Sequence, residues 1–517
     1  MLPLLLATLF ALLLAGLLVR FRRRRARLPL PPGPKKLPLV GNLFGIPSTF
    51  QWETYMQWSK IYKSDIIHLD VAGSPIIVLS SMEAVNDLLE KRSSIYSDRP
   101  SAAIMMELTG WDFLIGAMRY GEYWRSHRRL SHQGFEGTTA EPFHPCEREA
   151  TRELLRRFLD TPDGFMEHLH QMAGEIIMST IYGIEVLRSD DPYITLGRKA
   201  MHEFSVTAVP GKFLVDSIPL LKHVPAWFPG AGFKRYAEGC RILTRAMLET
   251  PFAEAKRRIA EGTAAHSFVA YGLSYVKEGE SLAEQVHREK IVKGTAASMY
   301  AGGAGTTVSA IATFMLGMLA NPKAQRAAQR EIDAVVGSGR LPDFTDEEAL
   351  PYVAAIVMET LRWKNVAPFA VPHFLAVEDQ YRGYRIPANS IILPNVWAIL
   401  HDEAMYPDPY SFKPERFLLD GKLNPAVRSP EVAFGFGRRI CPGKHLAASS
   451  IRIAVASILA TFDISKAMEE DGRIIEPTYD YIPGLICMPV PFRCSIKPRS
   501  QQAIELIQGA LVNNHQL

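Results

Sequence analysis

Cysteine is scarce in this sequence, and none of the five cysteines among its 517 residues forms a Cys-x-x-Cys pair. Five cysteines at these spacings indicate neither a disulfide framework nor a structural zinc site. The sequence also lacks an Asn-x-Ser/Thr glycosylation acceptor. Both absences predict a body that lies in a reducing, cytosol-facing compartment. The cysteines are Cys146, Cys240, Cys441, Cys487 and Cys494.

Net charge is small as well, at +4, from 58 Lys and Arg against 54 Asp and Glu. So balanced a chain gives no basic surface of the kind that binds nucleic acid, and we expect no such partner. The composition, with 47% hydrophobic and 22% charged residues, is typical of a globular protein.

Charge is missing altogether from the apolar run over residues 2–19. At about 1.5 Å per residue this run reaches roughly 27 Å as a helix, close to the thickness of a bilayer core. Six arginines follow within residues 20–27, and positive charge on that side places the rest of the chain in the cytosol. We therefore predict a single-pass signal anchor, and neither a cleaved signal peptide nor a buried core helix.

A basic and proline-rich hinge is predicted over residues 20–34, because its prolines disfavour helix and stiffen the chain. Beyond the hinge the periodicity predicts helices over 52–62 and 82–90, and short strands over 66–69, 75–79, 366–371 and 391–394. The longest helical pattern runs from Gln285 to Ala320 and ends before Pro322. The expected fold class is mainly α with a minor β region.

The most specific motif is the stretch over residues 434–443, Phe-Gly-Phe-Gly-Arg-Arg-Ile-Cys-Pro-Gly. Its glycines free the backbone to fold tightly around Cys441. A thiolate ligand needs nearby positive charge, which Arg438 and Arg439 would supply, and Pro442 suits the first turn of a following helix. One cysteine in a glycine-rich turn would ordinarily be structural, but the ten-residue pattern makes that interpretation poor.

Three further motifs are individually weak. Trp124 and Arg128 lie four apart, on one helical face that a solvated basic surface would also produce. Glu359 and Arg362 form an i,i+3 pair of a common kind, and Arg416 in a Lys-Pro-Glu-Arg-Phe segment is placed to join them. If buried, that cluster would be costly to break, because removal of one member strands a charge.

In this order the four motifs resemble the cytochrome P450 family, and its fungal microsomal members most closely, from Pro31 to about Pro498. The resemblance implies one large haem domain over 35–498, followed by a tail over 499–517. It makes Cys441 the axial thiolate of haem b, with Phe434 beside the sulfur. It assigns the haem propionates to Arg439, Trp124 and Arg128, with Arg99 and His373 as further partners. The Glu359, Arg362 and Arg416 cluster would fix the loop that carries the cysteine.

The same resemblance predicts an apolar substrate pocket and an oxygen-activating helix. The pocket residues would be Ile104, Met105, Trp111, Phe113, Leu114, Ala367, Phe369 and Leu485. In the helix the stretch Gly303-Ala304-Gly305-Thr306 would open locally beside the haem, although close helix packing also explains its glycines. Thr306 matches the family's hydroxyl, but Gly305 stands where the family has an acidic residue linked with proton delivery. We therefore expect slower or less tightly coupled oxygen chemistry.

The implied function is membrane-anchored monooxygenation of an apolar small molecule at the endoplasmic reticulum. Electrons would come from NADPH through NADPH-cytochrome P450 reductase, with cytochrome b5 as a second candidate donor. Basic residues beside the cysteine would form the docking face, namely Arg125, Arg129, Arg438 and Lys444. Two alternatives stay open. One is an oxygen-independent haem-thiolate isomerase or dehydratase, which Gly305 favours and Thr306 disfavours. The other is a non-catalytic haem sensor or carrier, which is disfavoured because it would need neither Thr306 nor a docking face for a reductase.

Overall fold

The computed structural model describes residues 28–135, 141–208, 212–275 and 279–512. The predicted anchor over 2–19, most of the predicted hinge and the last five residues lie outside the described residues. Contacts group the chain into two compact units. The first holds the described residues up to Asp98 together with Pro372–Asn395, and the second holds Arg99–Val371 together with the residues from Val396 onward. One large domain over 35–498 stays a prediction.

The first unit is built on a β-sheet. Its strands are β1 (Ile66–Val71), β2 (Ser74–Leu79), β3 (His373–Leu375), β4 (Asp379–Tyr381), β5 (Tyr384–Ile386) and β6 (Ser390–Pro394). Four of them form a sheet in the order β1-β2-β6-β3, in which only β2 and β6 are parallel, while β4 and β5 form a hairpin. Ala72 and Gly73 join β1 to β2 with positive φ of 49° and 89°, the combination that suits a two-residue hairpin turn.

The helices of the first unit span Gln51–Tyr62, Met82–Val85 and Ser93–Tyr96, and a π-helical turn over Asn86–Lys91 continues the second of them. The helices predicted over 52–62 and 82–90 are therefore present, as are the strands predicted over 66–69, 75–79 and 391–394.

The second unit is mostly helical. Its α-helices span Glu122–Phe135, His144–Asp160, Phe165–Ile177, Pro192–Thr207, Leu214–Ser217, Gly232–Ala260, Phe268–Ser274, Leu282–Ala320, Pro322–Val335, Pro351–Trp363, Val396–Leu400, Lys444–Thr461 and Gln501–Val512. Its strands form three antiparallel two-stranded ribbons: β7 (Leu418–Leu419) with β8 (Lys422–Leu423), β9 (Phe462–Lys466) with β12 (Cys494–Pro498), and β10 (Tyr481–Ile482) with β11 (Met488–Pro489).

The 39-residue helix Leu282–Ala320, called the long helix below, is the centre of this unit. Ser281 and Glu284 close its N-terminus with a capping box, which satisfies two otherwise unpaired N–H groups. It is the one helix in the described part of the chain that is long and apolar enough to cross a membrane, but 72% of its most apolar window is buried inside the protein. The long helix is therefore a core helix.

The strand predicted over 366–371 is wrong. The carbonyl of Val366 accepts from the N–H of Cys487 at 2.8 Å, and that of Pro368 accepts from the N–H of Trp397 at 3.0 Å. Pro368 itself has no N–H to donate. The segment therefore satisfies its carbonyls through scattered partners, and its apolar residues reflect packing without a strand ladder.

A buried carboxyl group joins the helix that follows Cys441 to the helix His144–Asp160. Glu147 has no accessible surface, and its Oε1 accepts hydrogen bonds of 2.6 Å from the hydroxyls of Ser449 and Ser450. Its Oε2 has no partner among the described residues. Burial raises the pKa of Glu147 to about 7, against the lowering effects of the two serines and of Arg452.

This raised pKa predicts a pH-dependent stability that Glu147→Gln should remove. The folded state holds its proton more tightly than the unfolded chain, so stability is greatest below the unfolded pKa of about 4.3 and falls as pH rises toward 7. From pH 5 to pH 8 the wild-type protein should lose about 2 kcal/mol more than Glu147→Gln. Urea unfolding at both pH values measures the difference, and parallel losses in the two proteins would contradict it.

Candidate active site

Two short 3-10 turns, Pro430–Phe434 and Gly437–Arg439, shape the loop around Cys441. Gly435 and Gly437 adopt positive φ of 86° and 55°, a region that side chains disfavour. The loop closes where the N–H of Cys441 donates to the carbonyl of Phe434 at 2.8 Å. The following helix begins at Lys444 with Gly443 as its N-cap. Pro442 therefore precedes the N-cap, and its predicted place in the first turn is wrong.

The charges that act on the Cys441 thiol differ from those expected. Burial raises the pKa of this thiol, whereas a hydrogen bond from the Gly443 N–H and the positive charges of Arg128 and Lys444 lower it. Arg438 is exposed and bonds to the Tyr120 hydroxyl instead. The expectation that Arg438 and Arg439 charge the thiol is corrected, since neither is among the groups that act on it.

Arg439 packs beside Trp124, so two predicted propionate partners meet. The guanidinium carbon of Arg439 lies 4.2 Å from the centroid of the Trp124 ring, and its Nη2 donates to the carbonyl of Met118 at 2.8 Å. Arg128, one turn beyond Trp124, donates from Nη1 to the carbonyl of Ile440 at 2.8 Å. The helix Glu122–Phe135 therefore places both of its motif residues against the cysteine loop.

The buried Nε1 of Trp124 has no hydrogen-bond partner in the part of the chain that the structure describes. A buried N–H without an acceptor is costly, so an acceptor from outside the protein chain would stabilise it. A thiol, an indole donor and guanidinium groups within one region fit a thiolate-bound group that carries carboxylates. The residues present therefore fit a haem.

Arg99 and His373 are both buried and both bonded to backbone. Arg99 donates to the carbonyls of Gly116 and Val371, each at 2.8 Å. His373 lies in the first unit, where its Nδ1 is 2.7 Å from the carbonyl of Tyr96. A carbonyl only accepts, so Nδ1 carries the proton. A propionate role for these two residues stays a prediction.

The long helix is continuous α-helix through Gly303-Ala304-Gly305-Thr306, so the predicted local opening is wrong. The solvent accessibility of the helix nevertheless rises in this stretch. Gly302 is exposed and the next four residues are partly exposed, although most residues on either side are buried. The hydroxyl of Thr306 donates to the carbonyl of Gly302 at 2.8 Å, which holds the turn together from within.

The glycines of this stretch differ in the space around them. A Cβ added at Gly303 would lie 2.3 Å from Cδ1 of Ile177, so this glycine permits close packing of two helices. A Cβ at Gly302 or at Gly305 would meet no atom within 4 Å. The missing acidic side chain at position 305 therefore leaves free space, and steric exclusion does not explain its absence.

The predicted pocket residues fall into two groups. Ile104, Trp111 and Phe113 are buried, and the Trp111 ring packs 4.9 Å from Phe204 and 5.5 Å from Phe113, between centroids. A substrate would reach these three only after neighbouring side chains move. The partly accessible group comprises Met105, Leu114, Ala367, Phe369 and Leu485.

Glu359, Arg362 and Arg416 form one buried ion cluster. Arg362 binds Glu359 through two hydrogen bonds of 2.7 and 2.8 Å, and neither side chain is accessible. Arg416 adds a contact of 3.1 Å to the same carboxylate. The N–H of Lys413 donates to it at 2.8 Å, a contact that no side-chain motif signals.

Two contributions to the site were not predicted from the sequence, although Lys444 was predicted as part of the docking face. Lys444 acts on the thiol as described above, and its place three residues after Cys441 is a usable signal. Ser298 on the long helix accepts from the N–H of Ile115 at 3.0 Å, while the carbonyl of Ile115 accepts from Arg439 at 3.2 Å. This link between the long helix and the cysteine loop follows from tertiary packing and has no sequence signature.

Comparison with known proteins agrees with this geometry. The family model of cytochrome P450 matches residues 31–495. Cytochrome P450 monooxygenase 98 of Postia placenta is 45% identical over 492 residues, covering 94% of each chain. Cytochrome P450 monooxygenase ple1 of Rhodocybe pseudopiperita is 42% identical, covering 93% of this chain and 91% of its own. Tryptamine 4-monooxygenase of Psilocybe cyanescens is 39% identical, covering 97% and 99%.

A haem-thiolate protein is the class that the fold and the cysteine loop define, and the chain belongs to the cytochrome P450 family. It is an oxidoreductase of the monooxygenase type. Family membership implies haem with cysteine thiolate ligation. The predicted family and the mainly helical fold class with a minor β part are confirmed.

Glu359→Ala should yield protein without haem. Removal of the carboxylate leaves two buried guanidinium groups without their counter-ion, which costs roughly 3–5 kcal/mol. Haem content per protein, measured by absorbance, tests the expectation. Lys413→Met is the matched control, because among the described residues the Lys413 side chain pairs with the half-exposed Asp408 alone. A Glu359→Ala holoprotein with a normal spectrum would show that the cluster has another role.

Gly303→Ala and Gly302→Ala should differ in stability although they lie side by side. The first forces a methyl group onto Ile177 and should cost about 1–3 kcal/mol, whereas the second adds a methyl in free space and should stabilise the helix by up to about 1 kcal/mol. Thermal unfolding measures both, and Ile177→Ala should partly rescue Gly303→Ala. Equal stability of the two glycine variants would refute the packing explanation.

Proposed function

We propose that this protein is a membrane-anchored monooxygenase of the endoplasmic reticulum that inserts one oxygen atom into an apolar organic substrate. The overall reaction consumes the substrate, O₂, NADPH and a proton, and it produces the hydroxylated substrate, water and NADP⁺. The observation that carries the proposal is the Cys441 loop, whose Arg439 packs on the Trp124 ring, together with a Trp124 indole N–H that has no acceptor among the described residues.

The proposed ligands of haem b follow from that loop. Cys441 would hold the haem iron through its sulfur, Phe434 would lie beside that sulfur, and Trp124, Arg128 and Arg439 would bind the propionates. Arg99 and His373 are further propionate partners in the proposal. Bound through a cysteine thiolate, haem supplies the activation of dioxygen for O–O cleavage.

Proton delivery depends on the accessible stretch of the long helix. Thr306 offers a hydroxyl beside the space left by Gly305, where a Cβ would meet no atom within 4 Å. We propose that water in this space carries the protons that an acidic residue would otherwise relay. Such a route has no fixed proton donor. A larger share of the electrons from NADPH should therefore be released as hydrogen peroxide.

The substrate class is inferred from the predicted pocket. None of its eight residues carries a charge, and three of them are aromatic. One relative is by name a monooxygenase of tryptamine, but the uncharged residues here favour a neutral apolar compound for this chain. The proposed panel therefore contains a terpenoid, a fatty acid and a polycyclic aromatic compound.

Electrons are proposed to come from NADPH-cytochrome P450 reductase, with cytochrome b5 as a second donor. Arg125, Arg129, Arg438 and Lys444 form the proposed docking face. Glu122 offsets part of this charge, since it lies 2.9 Å from Arg125 and 4.0 Å from Arg129. Arg438 and Lys444 are therefore the stronger candidates for contact with an acidic partner.

An oxygen-independent isomerase or dehydratase is the second candidate, and Gly305 is the observation that favours it. The relatives named as monooxygenases weigh against it. A non-catalytic haem carrier has no observation in its favour.

Turnover under ¹⁸O₂ with reductase and NADPH tests the proposal, with mass detection of products from the panel. One labelled oxygen atom per product molecule is the expected result. Conversion without label and without NADPH would establish the second candidate instead.

Gly305→Asp belongs in the same assay as the matched variant. Because the site has room for the side chain, this variant should fold normally and should release less peroxide per NADPH consumed. Unchanged peroxide release and an unchanged product rate would remove the proposed water route.

A further inference from the structure

The turn that carries Ile104 and Met105 lacks a capping residue of its own. It is a single π-helical turn over Ala103–Leu108, and it is preceded by Ala102, whose side chain cannot accept a hydrogen bond. The first N–H groups of any helical turn have no partner within the turn. A partner for them must therefore come from elsewhere in the chain.

Asp216 is that partner. Its Oδ1 accepts from the N–H of Ile104 at 3.0 Å, and the N–H of Ala103 adds to the lowering of its pKa. Asp216 lies on the short helix Leu214–Ser217, far from the turn in sequence. Burial raises the pKa of the Asp216 carboxyl, and the two N–H groups oppose that rise. The N–H groups therefore favour the charged form of this partly exposed carboxylate.

Apolar packing joins the same two segments. Ala103 and Ile104 are buried with Val215 and Ala237 in one cluster, and Met105 packs against its edge. A surface ion pair adds a third connection, since Nζ of Lys222 lies 2.8 Å from Oε2 of Glu107. Exposed pairs of this kind contribute little, which leaves Asp216 as the main polar connection that the described residues show between the turn and the 214–222 segment.

We propose that Asp216 is a positioning residue that sets substrate selectivity by fixing the turn that carries Ile104 and Met105. The inference rests on the proposed function, in which Met105 belongs to the accessible part of the predicted pocket and Ile104 to its buried part. Ile104 has no accessible surface and Met105 is partly exposed. Release of the turn would therefore change the pocket wall while the cysteine loop keeps its own contacts.

Two variants at one position separate capping from charge. Asp216→Ala removes the acceptor, whereas Asp216→Asn keeps an oxygen acceptor of a kind that caps helices well. Lys222→Met is the control, because it breaks the exposed ion pair between the same segments. Hydrogen exchange of the peptide that covers residues 102–109 in the holoprotein measures the cap. Product ratios, KM and kcat on the panel compound that the wild-type enzyme converts best measure selectivity.

Asp216→Ala should speed amide exchange at residue 104 by roughly fivefold. It should also raise KM and change the ratio of product isomers, with an unchanged haem spectrum and with kcat changed less than KM. Asp216→Asn and Lys222→Met should stay close to the wild-type protein in all readouts. This set of results supports the proposal.

Unchanged exchange in Asp216→Ala would overturn the cap, and faster exchange with unchanged KM and product ratios would overturn the role in selectivity. A change in Lys222→Met equal to that in Asp216→Ala would also overturn it, because the ion pair would then explain the effect. If the wild-type enzyme converts no panel compound, the proposed function fails, whereas the exchange data still judge the cap.

Discussion

A carboxylate without accessible surface can persist only where its charge is matched, and Glu359 is matched by Arg362, Arg416 and the N–H of Lys413. The two guanidinium groups extend the constraint, because their remaining donors bond to the carbonyls of Leu400, Pro407, Asp408 and Ser411. One buried charge thus fixes the path of the backbone from residue 400 to residue 416, upstream of the cysteine loop. Loss of any one member would leave the other buried charges unpaired, and the whole cluster would be destabilised.

The long helix shows how one sequence feature can serve two physical purposes. At Gly303 the absence of a side chain lets Ile177 pack closely. A Cβ at Gly302 or at Gly305 would meet no atom within 4 Å. The helix tolerates the lower propensity of glycine because its flanks are buried in the core and Thr306 bonds back to Gly302. The expected opening of the helix is therefore replaced by free space beside a regular helix. The long helix thus stays regular where open space borders Gly302 and Gly305.

Much of the fold could be predicted from the sequence wherever a local pattern decides the structure. The long helix began at Leu282 and not at Gln285, and the strands around residues 66–79 appeared where apolar runs flank Ala72-Gly73. The segment over 366–371 has the same apolar character but no strand, because Pro368 breaks a ladder and its carbonyls found other donors. An apolar run indicates that a segment is buried. It does not indicate which partners will bond to the backbone N–H and carbonyl groups of that segment.

In the candidate site, too, local patterns were predictable from the sequence and long-range contacts were not. The sequence by itself determined the cysteine loop, the pairing of Glu359 with Arg362 and the neighbourhood of Trp124 and Arg128, because each depends on residues within a few positions along the chain. Only the tertiary structure decided that Arg128 acts on the thiol, that Gly303 meets Ile177 and that Asp216 caps a distant turn. Those contacts join segments far apart in the chain. Their distances and burial arise from the packing of whole elements, which no local pattern encodes.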